Sequence, residues 1–128
     1  MYEAAKKVLN DRQISEYVSA GAVSAAVMSA SGKIYTGVCI DTACTLGICA
    51  ERNAISNMIT DGEDKIAKVL CLFADENGTG DGAAPCGACR ELMVQLMPDE
   101  YKEIEIMLNY KEERVVKLGE ITPEWWIK

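Results

Sequence analysis

The sequence contains no apolar stretch approaching the roughly 20 residues needed to cross a bilayer. It has no basic cluster with interleaved aromatics, and its net charge is −7 with a pI near 4.6. Phosphate backbones demand a basic face, so this balance argues against nucleic acid as a partner. The acidity also suits a solvated, soluble surface. Residues 2–8 lack the apolar core of a secretory leader. The expectation is therefore a cytoplasmic chain with no membrane partner. In that setting the six cysteines are not expected to form a disulfide framework, and metal binding is the better reading. There is no repeat, low-complexity tract or linker. What remains is 128 residues, 49% hydrophobic and 26% charged, the makeup of a globular domain with a real core, expected as one unit over 1–128.

Two stretches carry chemistry: Cys49-Ala50-Glu51 and Pro85-Cys86-Gly87-Ala88-Cys89. Thiols three residues apart on the first turn of a helix face the same side. Pro85 suits a helix start, where its fixed φ helps and its missing N–H costs little. Thiolates at such a start are stabilised by unpaired backbone N–H groups and the positive end of the dipole. Cys49 supplies a third ligand, with Glu51 beside the metal but not bound to it. Three protein ligands leave a tetrahedral zinc one open position for water, which separates a catalytic site from a structural one. A lone Cys-x-x-Cys would read as a redox dithiol or as buried cysteines, and a lone Glu51 as an N-terminal helix glutamate. A further alternative stays open. Cys39 or Cys44 could complete a four-cysteine structural zinc in a non-enzymatic binding module, since Cys44 and Cys49 have a tolerable spacing. Cys71, mid-strand, reads as core.

In chain order, residues 1–18 carry Leu9, Ile14 and Val18 at amphipathic spacing, which predicts a helix. Residues 22–29 and 33–40 read as strands joined by a tight turn at Ser31-Gly32. A loop over 41–47 leads into a helix over 49–60 that buries Ala50, Ala54, Ile55, Met58 and Ile59 and stops before Asp61-Gly62. Residues 67–74 form a strand apolar enough to be covered on both faces. A glycine-rich loop over 75–84 precedes a helix over 86–97, with Leu92, Met93 and Leu96 inward and Pro98 as its stop. Strands follow over 103–108 and 115–118, then a tail with Trp125 and Trp126. This order predicts an α/β fold, a three-layer α/β/α sandwich around a five-stranded mixed sheet. Both helices bearing thiols begin where a strand hands over to a loop, the usual place for a site in such sheets.

With these residues in view, the chain resembles the small homo-oligomeric cytidine deaminases and their relative blasticidin-S deaminase. Residues Gly47 to Ile55, Pro85 to Arg90 and Gly32 to Gly37 carry the likeness. Ser24-Ala25-Ala26 and Glu76-Asn77 are more similar to the blasticidin branch. The resemblance implies one zinc per subunit on Cys49, Cys86 and Cys89, and Glu51 as the proton shuttle of a hydrolytic deamination. It implies that the Ala50 N–H and the Ala84 carbonyl contact the base ring and the leaving amine. Ser24 is implied as a further substrate contact. Cytidine deaminases hold the ribose with an Asn-x-Glu after the hairpin. Cys39 and Asp41 stand at those positions here, so Asp41 can still accept a hydroxyl bond while Cys39 lacks an amide's donor and acceptor. The aromatic those enzymes place near the base falls around Gly21. Three thiolates weaken zinc as a Lewis acid, and Arg52 or Arg90 is expected to offset their charge, Arg52 by the resemblance. Trp125 and Trp126 would either stack over a base or pin the tail or an oligomer interface. The implied partners are a small-molecule substrate, arriving free, and further copies of the chain in a homotetramer. Cytidine, deoxycytidine, blasticidin-like antibiotics and other aminated heterocycles all stay open as substrates.

Overall fold

The computed structural model describes residues 1–75 and 81–127. Glu76-Asn77 and the rest of 76–80, half of the expected 75–84 loop, lie outside the described residues. The elements are α1 (Tyr2–Val8), β1 (Arg12–Gln13), β2 (Ser19–Ser29), β3 (Ile34–Asp41), α2 (Ala50–Thr60), β4 (Ile66–Phe73), α3 (Gly87–Leu96), β5 (Glu105–Asn109) and β6 (Arg114–Lys117). Five full strands lie side by side in the order β3, β2, β4, β5, β6. The β4–β5 pair is parallel, bridged by the α3 crossover, and the other neighbours are antiparallel. The two-residue β1 pairs with Ser19 and Ala20, before the stretch of β2 that pairs with β4.

Alternation along the strands builds two cores. Ala25, Val27 and Val69 face α2 and α3 and pack with Ile55, Met58 and Met93. Their neighbours Ala26, Leu70 and Leu72 face the other way, onto Ala5 of α1. Each fully buried aliphatic contributes on the order of 1.5–3 kcal/mol, so both faces of β4 must be covered. The three-layer expectation holds. The hairpin forms as expected: Gly32 takes a φ of +92° and its N–H reaches the Ser29 carbonyl at 2.9 Å.

The helix expected over 1–18 stops at Val8, and Leu9 is already extended (φ −65°, ψ 114°). The free edge of β2 accounts for it. Asn10 N–H donates to the Gly21 carbonyl at 3.0 Å, and Arg12–Gln13 complete the ladder there. Ser15 Oγ then accepts the Tyr17 and Val18 N–H groups, closing a turn. Ile14 is 56% exposed, so the apolar spacing marked no core face. In α2, Ile59 proves 45% exposed. In α3, Met93 and Val94 are buried whereas Leu92 and Leu96 are only half-buried. The strand expected from 103 begins at Glu105, after a 3-10 turn over Tyr101–Glu103.

Candidate active site

Two helix starts converge at one end of the sheet. Cys49 is the N-cap of α2 (φ −71°, ψ 153°) and Cys86 the N-cap of α3 (φ −69°, ψ 172°). Local pairings hold them there. Ile40 and Ile48 exchange backbone bonds at 3.0 Å, folding the loop after β3 back onto that strand. Gly82 pairs with Leu72, and Asp81 accepts both the Gly82 and Tyr110 N–H groups at 2.8 Å. α2 is pressed close to β3, where Asn53 and Asn57 side chains donate to the Val38 and Thr36 carbonyls at 3.0 and 2.8 Å.

The three sulfurs meet. Cys49 and Cys86 Sγ lie 3.3 Å apart, Cys86 and Cys89 Sγ 3.6 Å apart, and all three fall within 4.8 Å of one another. The edge of a tetrahedron with sulfur ligands at 2.3 Å is roughly 3.8 Å, so modest relaxation suits a zinc ion. The donor chemistry points the same way. Burial acts against the Cys86 thiolate, yet backbone N–H groups of Cys89 and Ala88 and bonds with the Cys49 and Cys89 thiols outweigh it and lower its pKa. Burial, then the charges of Glu51 and Cys86, push the Cys89 thiol up. Thiols that cannot all ionise side by side call for a shared cation, and this set fits zinc with one position open.

Glu51, one residue into α2, is only 4% exposed. Burial raises its pKa, opposed by its own backbone N–H and by the Arg52 charge. A buried carboxyl whose pKa is raised in this way is a candidate for exchanging a proton with a group in the cleft. Arg52 Nη2 donates to Cys49 Sγ at 3.5 Å. That bond is the main cause of its raised pKa, opposed by burial and reinforced by Cys89. The guanidinium thus lies against the thiols and offsets their charge.

A cleft of about 570 Å³ opens over this group, and Cys39, Asp41, Ala50 and Ala84 line it as the sequence suggested. Cys39 Sγ accepts the Val23 N–H at 3.3 Å and lies 3.8 Å from Asp41 Oδ2. Ser24 is a correction. Its side chain falls on the α1 face of β2, fully buried, with Oγ donating to the Ala5 carbonyl at 2.7 Å. Arg90 is another: it binds the Pro85 and Ile121 carbonyls rather than a sulfur. Cys44, exposed with a φ of +63°, lines the cleft but does not join the sulfur cluster, nor does Cys39. The four-cysteine arrangement is therefore absent among the described residues. Trp125 and Trp126 both donate to Glu91 Oε1, at 3.2 and 2.7 Å, which pins the tail to α3. Sequence reasoning missed Cys71, Ala22 and Val23 in the cleft wall. Strand alternation with Val69, which faces α2, was the available signal for Cys71.

Clustered thiols, one buried carboxyl and a charge-offsetting arginine at two helix starts of a mixed α/β sheet make a candidate zinc site with an acid–base group beside it. The chain matches the family described as the cytidine and deoxycytidylate deaminase zinc-binding region over residues 1–102, and it belongs to that family. A cytidine deaminase of Sporosarcina psychrophila is 36% identical over 74 residues, covering 57% of this chain and 52% of that protein. A blasticidin-S deaminase of Bacillus cereus is 33% identical over 89 residues, covering 66% of this chain and 64% of that protein. The matched stretch thus spans 52% and 64% of the length of these two relatives, less than two thirds of either. Solved structures of cytidine deaminases from Mycobacterium leprae and Burkholderia pseudomallei superpose with a TM-score of 0.71 at 28% identity. Each covers 96% of this chain and 94% of the other. The expected family, fold and zinc chemistry agree with these likenesses.

Proposed function

We propose that the chain is a zinc-dependent hydrolytic deaminase acting on a free cytidine-like aminopyrimidine nucleoside. Water replaces the exocyclic amine, leaving C=O and ammonia. The observation that carries this reading is Glu51, buried beside the three clustered sulfurs at the floor of the cleft. Zinc, held by Cys49, Cys86 and Cys89, would supply a Lewis acid that brings the pKa of a water down toward neutrality. Glu51 accepts a proton from the attacking water and delivers it to the ring nitrogen; it then takes the remaining proton of the added hydroxyl as C=O forms and passes it to the departing amine, which leaves as ammonia. Arg52 keeps the sulfur cluster from carrying its full negative charge. The Ala50 N–H and Ala84 carbonyl orient the ring and amine, and Asp41 accepts a hydroxyl bond from the sugar.

A second substrate reading, a blasticidin-like or other aminated heterocycle, is favoured by one feature. The cleft presents a thiol at Cys39, already engaged with Val23 N–H and near Asp41, where an amide would grip a ribose. The working form we propose is a cytoplasmic homotetramer with one zinc per subunit. The test is ammonia release by zinc-loaded protein given cytidine, then blasticidin S. Glu51→Gln should lower turnover by at least 10²–10⁴-fold with zinc retained. Release from neither substrate, or an unimpaired Glu51→Gln enzyme, would overturn the proposal.

A further inference from the structure

Arg90 follows the second thiol of Cys86-x-x-Cys89 but spans two backbone carbonyls instead of touching sulfur. Its Nε donates to the Pro85 carbonyl at 2.8 Å and its Nη1 to the Ile121 carbonyl at 2.7 Å. Pro85 immediately precedes Cys86 and is fully buried. Arg90 N–H also donates to the Cys86 carbonyl at 3.0 Å. Arg90 thus reaches back from the first turn of α3, which holds two of the three thiols, to the residue before its cap. The same guanidinium fastens that turn to the 3-10 turn Leu118–Ile121. The next residue repeats the attachment. Glu91 accepts both tail indole N–H groups, and Tyr101 Oη donates to the Ile127 carbonyl at 3.3 Å.

We propose that Arg90 is a positioning residue for the metal site, and that residues 118–127 act as a brace transmitting order to Cys86 and Cys89. The inference rests on the zinc reading above. Cys86 is the N-cap of α3: its carbonyl enters the helical ladder through the Arg90 N–H, whereas its approach from the other side is set by Pro85, which the Arg90 side chain holds. Arg90 supplies that hold and anchors it to a packed segment rather than to solvent. A planar guanidinium can serve both carbonyls at once, while a lysine ammonium on a single flexible stem cannot match that fork.

The test follows zinc transfer from the loaded protein to a chromophoric chelator in wild type, Arg90→Gln, Arg90→Lys and Tyr35→Phe. Tyr35 bonds Asp61 and Glu63 at the far end of α2, so its variant controls for general loss of stability. Arg90→Gln should weaken zinc binding about 10–100-fold, the usual effect of losing a residue that orients metal ligands. Arg90→Lys should fall between Gln and wild type, and Tyr35→Phe should hold zinc normally despite a lowered thermal midpoint. Wild-type affinity in Arg90→Gln, or equal weakening in Tyr35→Phe, overturns the proposal. Should Arg90→Gln not fold, full affinity in Arg90→Lys overturns it. A wild-type protein that takes up no zinc would sink the zinc reading itself, a separate result from unchanged affinity in the variants.

Discussion

Replacing Gly37 by alanine should move α2, the helix that carries Glu51. A Cβ built on Gly37 would stand 2.4 Å from Ala54 N, 2.9 Å from the Ala50 carbonyl oxygen and 2.9 Å from Asn53 C. All three are backbone atoms of α2, so no side chain can turn aside. Restoring ordinary contact at 3.4 Å requires α2 and β3 to part by about 1 Å, the difference from 2.4 Å. The Asn53 and Asn57 amide bonds flank this point at 3.0 and 2.8 Å and would stretch toward breaking. Overpacking costs about 1–3 kcal/mol, and two weakened hydrogen bonds add roughly 0.5–1.5 kcal/mol each. The sum, about 2–6 kcal/mol, lowers the thermal midpoint by roughly 8–24 °C in a domain of this size. Because α2 carries Glu51 and Arg52 and is capped by Cys49, the same shift displaces the carboxyl proposed as proton carrier. A 1 Å misplacement costs on the order of 10²-fold in turnover. Thermal unfolding and ammonia release on the zinc-loaded variant read both effects. A midpoint within about 2 °C of wild type together with undiminished turnover would refute the argument that backbone contact at Gly37 sets the position of α2.

Two further outcomes follow from the same structure. Ser24→Ala leaves the buried Ala5 carbonyl without its donor, costing about 1–3 kcal/mol while KM stays unchanged; a raised KM at full stability would return Ser24 to the site. The Glu63 carboxyl is held below its ordinary pKa by the Ser31 hydroxyl, then that of Ser29, against a small burial effect, with Tyr35 and Lys33 adding to it. Its folded pKa lies below the unfolded value of about 4.3. The contribution is therefore complete above that pH and lost as pH falls through the folded value. Urea midpoints between pH 3 and 7 should decline less steeply in Glu63→Gln, and an identical decline would count against the assignment.

Much of the site was legible because its chemistry is local. Cys86-x-x-Cys89 and Cys49-x-Glu51 place their groups through one helical turn each, and a first turn has nearly the same geometry wherever it occurs. The hairpin at Ser31-Gly32 was legible for the same reason, since the backbone at Gly32 takes a φ of +92° that favours glycine. The misreadings share the opposite cause. Leu9, Ile14 and Val18 suggested a helix, but the open edge of β2 captured Arg12–Gln13. Arg90 seemed a partner for its neighbouring sulfurs, but the Ile121 carbonyl, 31 residues on, took its guanidinium. Ser24 seemed a substrate contact, but strand alternation turned it toward α1.

By itself, then, the sequence determined the three clustered thiols, the buried carboxyl of Glu51, the hairpin and the order of the helices and the five full strands. Those rest on spacings of a few residues, fixed by backbone geometry. Only the tertiary structure decided which face each strand residue took, that Cys71 joins the cleft wall while Cys44 stays out of the sulfur cluster, and that the tail braces α3. Each depends on what a distant segment offers at that point: an unpaired ladder edge, a free carbonyl, or an apolar face. Such offers exist only once the layers have packed.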